Sequence, residues 1–137
     1  IKIMAAGRYS FVIEQGATTD FEIRYADSGS NAIDLTGYRA KMQIRTALTS
    51  SSTLLLTLTS SLAADGTGLN LSGSNGTNPL SSGSIGVFIS AHSSSQLSGW
   101  NEAFYDLELI SGSTYPVVTR ILEGKVQLSK EVTSGTY

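Results

Sequence analysis

The sequence predicts an all-β chain folded as an antiparallel, immunoglobulin-like β-sandwich of about seven or eight strands. Three observations carry this. Apolar residues recur at every second position, as in Phe21, Ile23 and Tyr25 and again in Ala40, Met42 and Ile44, and a period of two marks a strand with one buried face. No stretch holds a helical period beyond a turn or two. Clusters of Gly, Ser, Asn and Asp break the chain at the spacings typical of sandwich turns. A small closed barrel fits the same pattern. The chain shows no βαβ alternation, so a parallel sheet is not expected.

Taken in order, the first strand reads Tyr9 to Glu14 and ends at Gln15-Gly16. The second alternates over Phe21, Ile23 and Tyr25, with Asp20, Glu22 and Arg24 on the other face, and Asp27 to Asn31 closes it. Ile33-Asp34-Leu35-Thr36-Gly37-Tyr38 leads into the most strictly amphipathic strand, where Arg39, Lys41, Gln43 and Arg45 interleave with Ala40, Met42 and Ile44. Leu54, Leu56 and Leu58 form the next strand. A turn at Asp65-Gly66-Thr67-Gly68 and a short strand at Leu69-Asn70-Leu71 follow. Residues 73–84 are mostly Ser, Gly and Asn and read as an exposed loop. Ile85, Val87 and Ile89 make a strand, and residues 90–97 fit one short helical turn capped by Ser90 or Ser93. Ala103, Tyr105, Leu107 and Leu109 alternate in the penultimate strand. The last runs from Val117 to about Leu128, with Val118, Leu122, Val126 and Leu128 on one side. The domain therefore spans 9–128, with an N-terminal extension at 1–8 and a polar C-terminal arm at 129–137. Met4-Ala5-Ala6-Gly7 has the look of a translation start behind three further residues.

Length and composition bound the function. A chain of 137 residues makes one core. Only 15% of residues are charged, against about a quarter in an average protein, and Ser, Thr and Gly take their place. Sparse charge lets surfaces approach with little desolvation cost. The net charge of −2 and the scattered Lys and Arg argue against nucleic-acid binding. No apolar run approaches the roughly 20 residues of a membrane span. With no Cys, neither disulfides nor thiolate metal sites can form.

Catalytic equipment is not recognisable. His92 is the only histidine and has no neighbouring carboxylate until Glu102. Serine is abundant, but there is no Gly-x-Ser-x-Gly elbow. Asp106 and Glu108 share one strand face, the geometry of an acid–base pair or a calcium site. A solvated face opposite Arg or Lys explains them more simply. The Asp65 turn lacks the spaced ligands of a calcium loop. No metal or other cofactor is expected. Trp100 and Tyr115 are the candidate glycan contacts, since an exposed aromatic ring can stack on a sugar; a Trp plugging one end of the sandwich is the plainer alternative.

Four segments together resemble a family of small β-sandwich structural proteins of tailed bacteriophages. They are Phe11 to Thr18, Ile33 to Tyr38 with Ala40 to Arg45, Tyr105 to Leu109, and Thr119 to Val126. Their order and approximate spacing cover about residues 9–132, and Ile-Asp-Leu-Thr-Gly-Tyr is the most specific of them. The resemblance is to baseplate and tail-fibre-attachment domains, including the amino-terminal domain of upper baseplate proteins. It implies a non-enzymatic virion protein, assembled in the bacterial host cytoplasm. Its partners would be other virion proteins of the tail, baseplate, fibre or capsid, with several copies per particle and a homo-oligomer compatible with them. No nucleic acid and no membrane enter this expectation. The residues 129–137 are expected to reach a neighbour as an extended arm. The Ser/Gly loop at 73–84 and the run Ser93 to Ser95 depart from the shorter, more acidic family pattern. A carbohydrate-binding module for host surface glycan and a capsid decoration protein are the alternative readings.

Overall fold

The computed structural model describes residues 1–3 and 7–133, so the start expected at Met4 and the end of the C-terminal arm lie outside the described residues. Two sheets pack face to face, built from β1 (Lys2–Ile3), β2 (Gly7–Arg8), β3 (Phe11–Glu14), β4 (Thr19–Tyr25), β5 (Arg39–Arg45), β6 (Leu54–Thr59), β7 (Gly68–Asn70), β8 (Ser84–Ile89), β9 (Glu102–Ser111) and β10 (Val117–Ser129). A short helix α1 (Ala91–Ser95) follows β8, capped by the Ser90 side chain as the sequence suggested. One sheet has the order β1-β4-β8-β7. The other runs β2-β10-β9-β5-β6, with β3 also paired to β10. Lettering β1 as A and β4 to β10 as B, C, C′, D, E, F and G turns these into A-B-E-D and G-F-C-C′. That is the immunoglobulin order with a C′ strand added.

The sandwich is therefore as predicted, and it has ten strands among the described residues. The additional ones come from the amino terminus. β1 and β2 are two residues each, too short to show any periodicity. β1 lies parallel to β4, with Ile3 opposite Tyr25. β2 and β3 lie parallel to β10, with Gly7 opposite Leu122 and Phe11 opposite Val126. Residues read as an extension thus pair with both sheets in turn, and the parallel pairs make the sheets mixed. The Ile1 ammonium donates to the Glu22 carbonyl at 2.6 Å, which ties the first residue to β4.

The crossing between β2 and β3 depends on a glycine. Any Cβ at Gly124 would run into the carbonyl of Tyr9 and press on the Tyr105 ring. With only hydrogen there, the Tyr9 N–H donates to the Glu123 carbonyl at 3.0 Å, and the Tyr105 hydroxyl donates to the Tyr9 carbonyl at 2.5 Å. Burial pushes the Tyr105 phenol well above its ordinary pKa, which keeps it a donor. Around this point Phe11 meets Phe21 of β4 and Tyr105 of β9, both at 5.1 Å between ring centroids, and Tyr9 meets Phe21 at 5.6 Å. Such separations suit tilted and edge-on aromatic pairs. One aromatic cluster therefore links the N-terminal strand to both sheets.

Most predicted inward faces are the buried ones. Ile23, Met42, Ile44, Ile85, Val87, Ile89, Ala103 and Leu107 are fully enclosed. The exception is β10. A bulge between Arg120 and Leu122 inserts Ile121, so Ile121 and Leu122 are both buried, and the alternation reverses on either side of it. Val118 consequently pairs with Ile110 and is exposed, on the face opposite to Leu122 and Val126. A second irregularity opposite Ile44 and Arg45 leaves Leu54 exposed while Leu58 is buried. The Ile33 to Tyr38 segment is a plug. Leu35 enters the core, Asp34 accepts from the Thr36 N–H and hydroxyl at 2.9 and 2.6 Å, and Gly37 turns the chain at φ +81°.

Replacing Gly124 by Ala should destabilise the domain by about 2 kcal/mol or more, because backbone rather than a flexible side chain must give way. A lowered urea midpoint is the expected result; an unchanged midpoint would remove the crossing as a constraint.

Candidate functional site

Three loops meet at one end of the sandwich: residues 26–38, 71–83 and 112–116. Pairing of β5, β9 and β10 brings the first and last together, since Arg39 and Val118 both lie opposite Ile110. Backbone bonds join the first to the second: the Leu35 N–H donates to the Leu80 carbonyl at 2.9 Å and the Tyr25 N–H to the Gly83 carbonyl at 2.8 Å. Tyr38, Leu80, Tyr115, Val117 and Val118 are all exposed here. Among the described residues the other large exposed apolar side chains, such as Val12, Leu48, Leu54 and Leu62, lie elsewhere on the surface. Loops on a rigid scaffold are where sandwiches carry recognition.

Side-chain carboxylates hold these loops in shape. Asp27 accepts from the Asn31 and Gly29 N–H groups, both at 2.9 Å, and these bonds lower its pKa. The Thr36 hydroxyl and N–H do the same for Asp34. Glu22 accepts from the Ser74 N–H at 3.1 Å and pins the start of the Ser/Gly loop to β4.

The outer face of the β5–β9–β10 sheet is polar. Asp106 and Glu108 do share it, and Arg120 reaches Asp106 at 3.3 Å and Glu123 at 3.8 Å, while Arg8 reaches Glu123 at 3.6 Å. An open groove of about 560 Å³ runs over it beside Arg45, Phe104 and Glu108. Every one of these ion pairs is solvent-exposed, so each contributes at most about 1 kcal/mol. Their arrangement is that of a solvated strand face. Among the described residues, no three His, Asp or Glu side chains gather as metal ligands would.

The two candidate aromatic residues are not brought together. Trp100 is 9% exposed and belongs to the same core cluster as the buried Leu97, so its ring offers no platform to a sugar. Tyr115 is 91% exposed in the loop between β9 and β10. The ten residues of β9 separate the two, roughly 30 Å of extended chain. His92 is exposed on α1, its ring nitrogen 3.1 Å from the Gln96 amide.

Sequence reasoning read Asp65 as part of a turn and missed its role. Its carboxylate accepts from the hydroxyls of Ser90 and Ser93 at 2.5 and 2.6 Å and from the Thr67 N–H at 3.0 Å. These bonds, the Ser90 hydroxyl foremost, hold the carboxyl far below its ordinary value of 3.8. The Asp-Gly turn was legible; the serines that meet it lie 25 and 28 positions away, beyond any local pattern.

No family model matches the chain, and no curated protein matches it. Among solved structures, the N-terminal domain of phage TP901-1 ORF48 is similar over 94% of this chain and 98% of that one, with a TM-score of 0.52 and 4% identity. The chain shares the fold of that phage domain along nearly the whole length of both. A chain from a study of T cell specificity and activation by the bacterial superantigen toxic shock syndrome toxin-1 covers 91% and 93% at 15% identity. Its TM-score of 0.39 is too low to define a common fold.

Two predictions follow from these placements. A depressed carboxylate pKa adds stability that is present above the ordinary value near 3.8 and is lost as pH falls below it. Asp65→Asn should therefore melt at lower temperature than the parent at neutral pH, with the gap closing in acid; a gap independent of pH would contradict this. Trp100→Ala should cost about 3 kcal/mol or more, as deletion of a buried Trp does. Tyr115→Ala should stay within about 0.5 kcal/mol of the parent. Chemical denaturation reads both, and equal losses would contradict the two placements.

Proposed function

We propose that this chain is a non-enzymatic structural component of a bacteriophage virion. It acts in the tail, baseplate or fibre-attachment region through protein–protein contacts and is present in several copies. The observation that carries the reading is the fold agreement with a phage N-terminal domain over nearly all of both chains. The four segments that resemble baseplate and fibre-attachment domains point the same way. Their most specific member, Ile33 to Tyr38, builds one of the three loops that meet at this end of the sandwich. Tyr38, Tyr115, Val117 and Val118 then supply contact area to a neighbouring virion protein, and the low charge of the chain keeps desolvation cheap there.

The arm at 129–137 belongs to this reading as a second contact. Its first residues leave β10 beside the β3–β4 turn, where the Gln15 N–H donates to the Ser129 carbonyl at 2.8 Å and the Glu131 N–H to the Gln15 side chain at 3.0 Å.

The glycan reading now rests on Tyr115 alone, whose exposure leaves its ring open to a sugar. A glycan array on which the parent binds and Tyr115→Ala does not would favour it.

Peptide mass spectrometry and cryo-electron microscopy of purified particles encoding this chain test the proposal. The expected result is several copies, with density at the tail tip or fibre attachment and the loop end against another protein. Absence from the particle contradicts the proposal, and density on the capsid exterior replaces it with a decoration role.

A further inference from the structure

Asn75 sits in the exposed part of the loop at 71–83 and is followed by Gly76. A side-chain amide followed by glycine has the components for cyclisation, because the next backbone nitrogen can attack the carboxamide carbon and glycine has no side chain in the way. Two hydrogen bonds orient the carboxamide, and a third holds the Gly76 nitrogen. The Thr77 N–H donates to Asn75 Oδ1 at 3.0 Å, folding the carboxamide back over the Gly76 peptide. The Gly76 N–H donates to the Gly73 carbonyl at 3.1 Å, and this bond must open before solvent base can take the proton. The Asn75 amide nitrogen donates to Asn78 Oδ1 at 3.3 Å. Attack places negative charge on Oδ1, where the Thr77 N–H already points, and a donor aimed at developing charge lowers the barrier.

We propose that Asn75 is a site of spontaneous deamidation built into this loop. The Gly76 nitrogen bonds to Asn75 Cγ and loses its proton to solvent base. The Cγ–Nδ2 bond breaks and ammonia leaves, giving a five-membered imide. Water then opens the imide at either carbonyl, yielding aspartate or isoaspartate; no oxidant or reductant takes part.

The other four asparagines lack this combination. Asn78 precedes Pro79, which has no N–H to supply, and Asn101 precedes Glu102 at the start of β9. Asn31 precedes Ala32 and donates its amide to Asp27. Asn70 accepts from the Ser72 N–H in a similar turn, but Leu71 follows it and it is half-buried in β7.

The product carries a new negative charge one residue from Ser74, whose N–H binds the Glu22 carboxylate. Two carboxylates at that spacing repel, so conversion loosens the attachment of the loop to β4 and changes the charge of one of the three end loops.

The test is peptide mass spectrometry of the full chain after prolonged incubation in mildly alkaline buffer. The Asn75 peptide is expected to gain the mass difference between amide and acid and to split into aspartate and isoaspartate forms, faster as pH rises. Peptides holding Asn31, Asn70, Asn78 and Asn101 should stay unchanged over the same period. Asn75→Gln should abolish the conversion. Gly76→Ala should slow it; the position is at φ +72°, where alanine is strained although the nearest atom to its methyl, on the Asn70 amide, is 3.6 Å away, so a thermal melt checks that the variant still folds. An amide that survives at Asn75, another asparagine converting first, or a folded Gly76→Ala variant that converts as fast as the parent would each overturn the proposal.

Discussion

The contact that most of this molecule depends on is the passage of Tyr9 over Gly124. β10 is the longest strand and has β9 along one side. Its other side accepts β2 and β3 only because position 124 carries no side chain. Once the N-terminal strand is seated, the Tyr105 hydroxyl closes on the Tyr9 carbonyl, and Phe11 reaches both Phe21 and Tyr105. A hydrogen bond to a partly buried carbonyl contributes about 1 kcal/mol, and each aromatic pair adds a comparable amount beyond its burial. The value of the arrangement lies in its placement. Phe21 belongs to one sheet and Tyr105 to the other, so a single strand fastens the two layers with no disulfide.

That fastening covers β10 along its second half and leaves its first residues bare. No described strand pairs with Val117 to Arg120 on the side away from β9. They project as the end of a hairpin with Tyr115 at its tip. The C′ edge is handled differently. Residues 46–64 contain no Lys, Arg, Asp or Glu, and β6 is kept from offering a straight edge by the irregularity at Leu55 rather than by charge.

How much of this was legible depended on length of pattern. Strands with several alternating residues, such as Ala40-Met42-Ile44 or Ala103-Tyr105-Leu107, announce their faces because each inward residue is apolar. β1 and β2 could not be read, since two residues carry no period and their parallel partners lie some 20 and 115 positions away. The face of Val118 was misread because a bulge adds one residue and period-2 reasoning has no means to see it. Ile33 to Tyr38 stood out as a motif, and the structure supplies its reason: a buried Leu, a carboxylate that folds the turn and a glycine at positive φ. For the site, the exposure of Tyr115 and burial of Trp100 are tertiary facts; neighbouring Pro and Gly residues look alike in both contexts. The Asp65 cluster is likewise a product of assembly rather than of any local signal.

If the N-terminal strand is the fastener, it must open only when the whole domain opens. Native-state hydrogen exchange measures this directly. The amides of β2 and β3 that are bonded to β10 should exchange with the same opening free energy as the amides bonded between β9 and β10, and should track global stability as denaturant is added. Exchange of the β2 and β3 amides through a smaller, local opening, while β9 and β10 stay protected, would show that the strand is an accessory to a sandwich that stands without it.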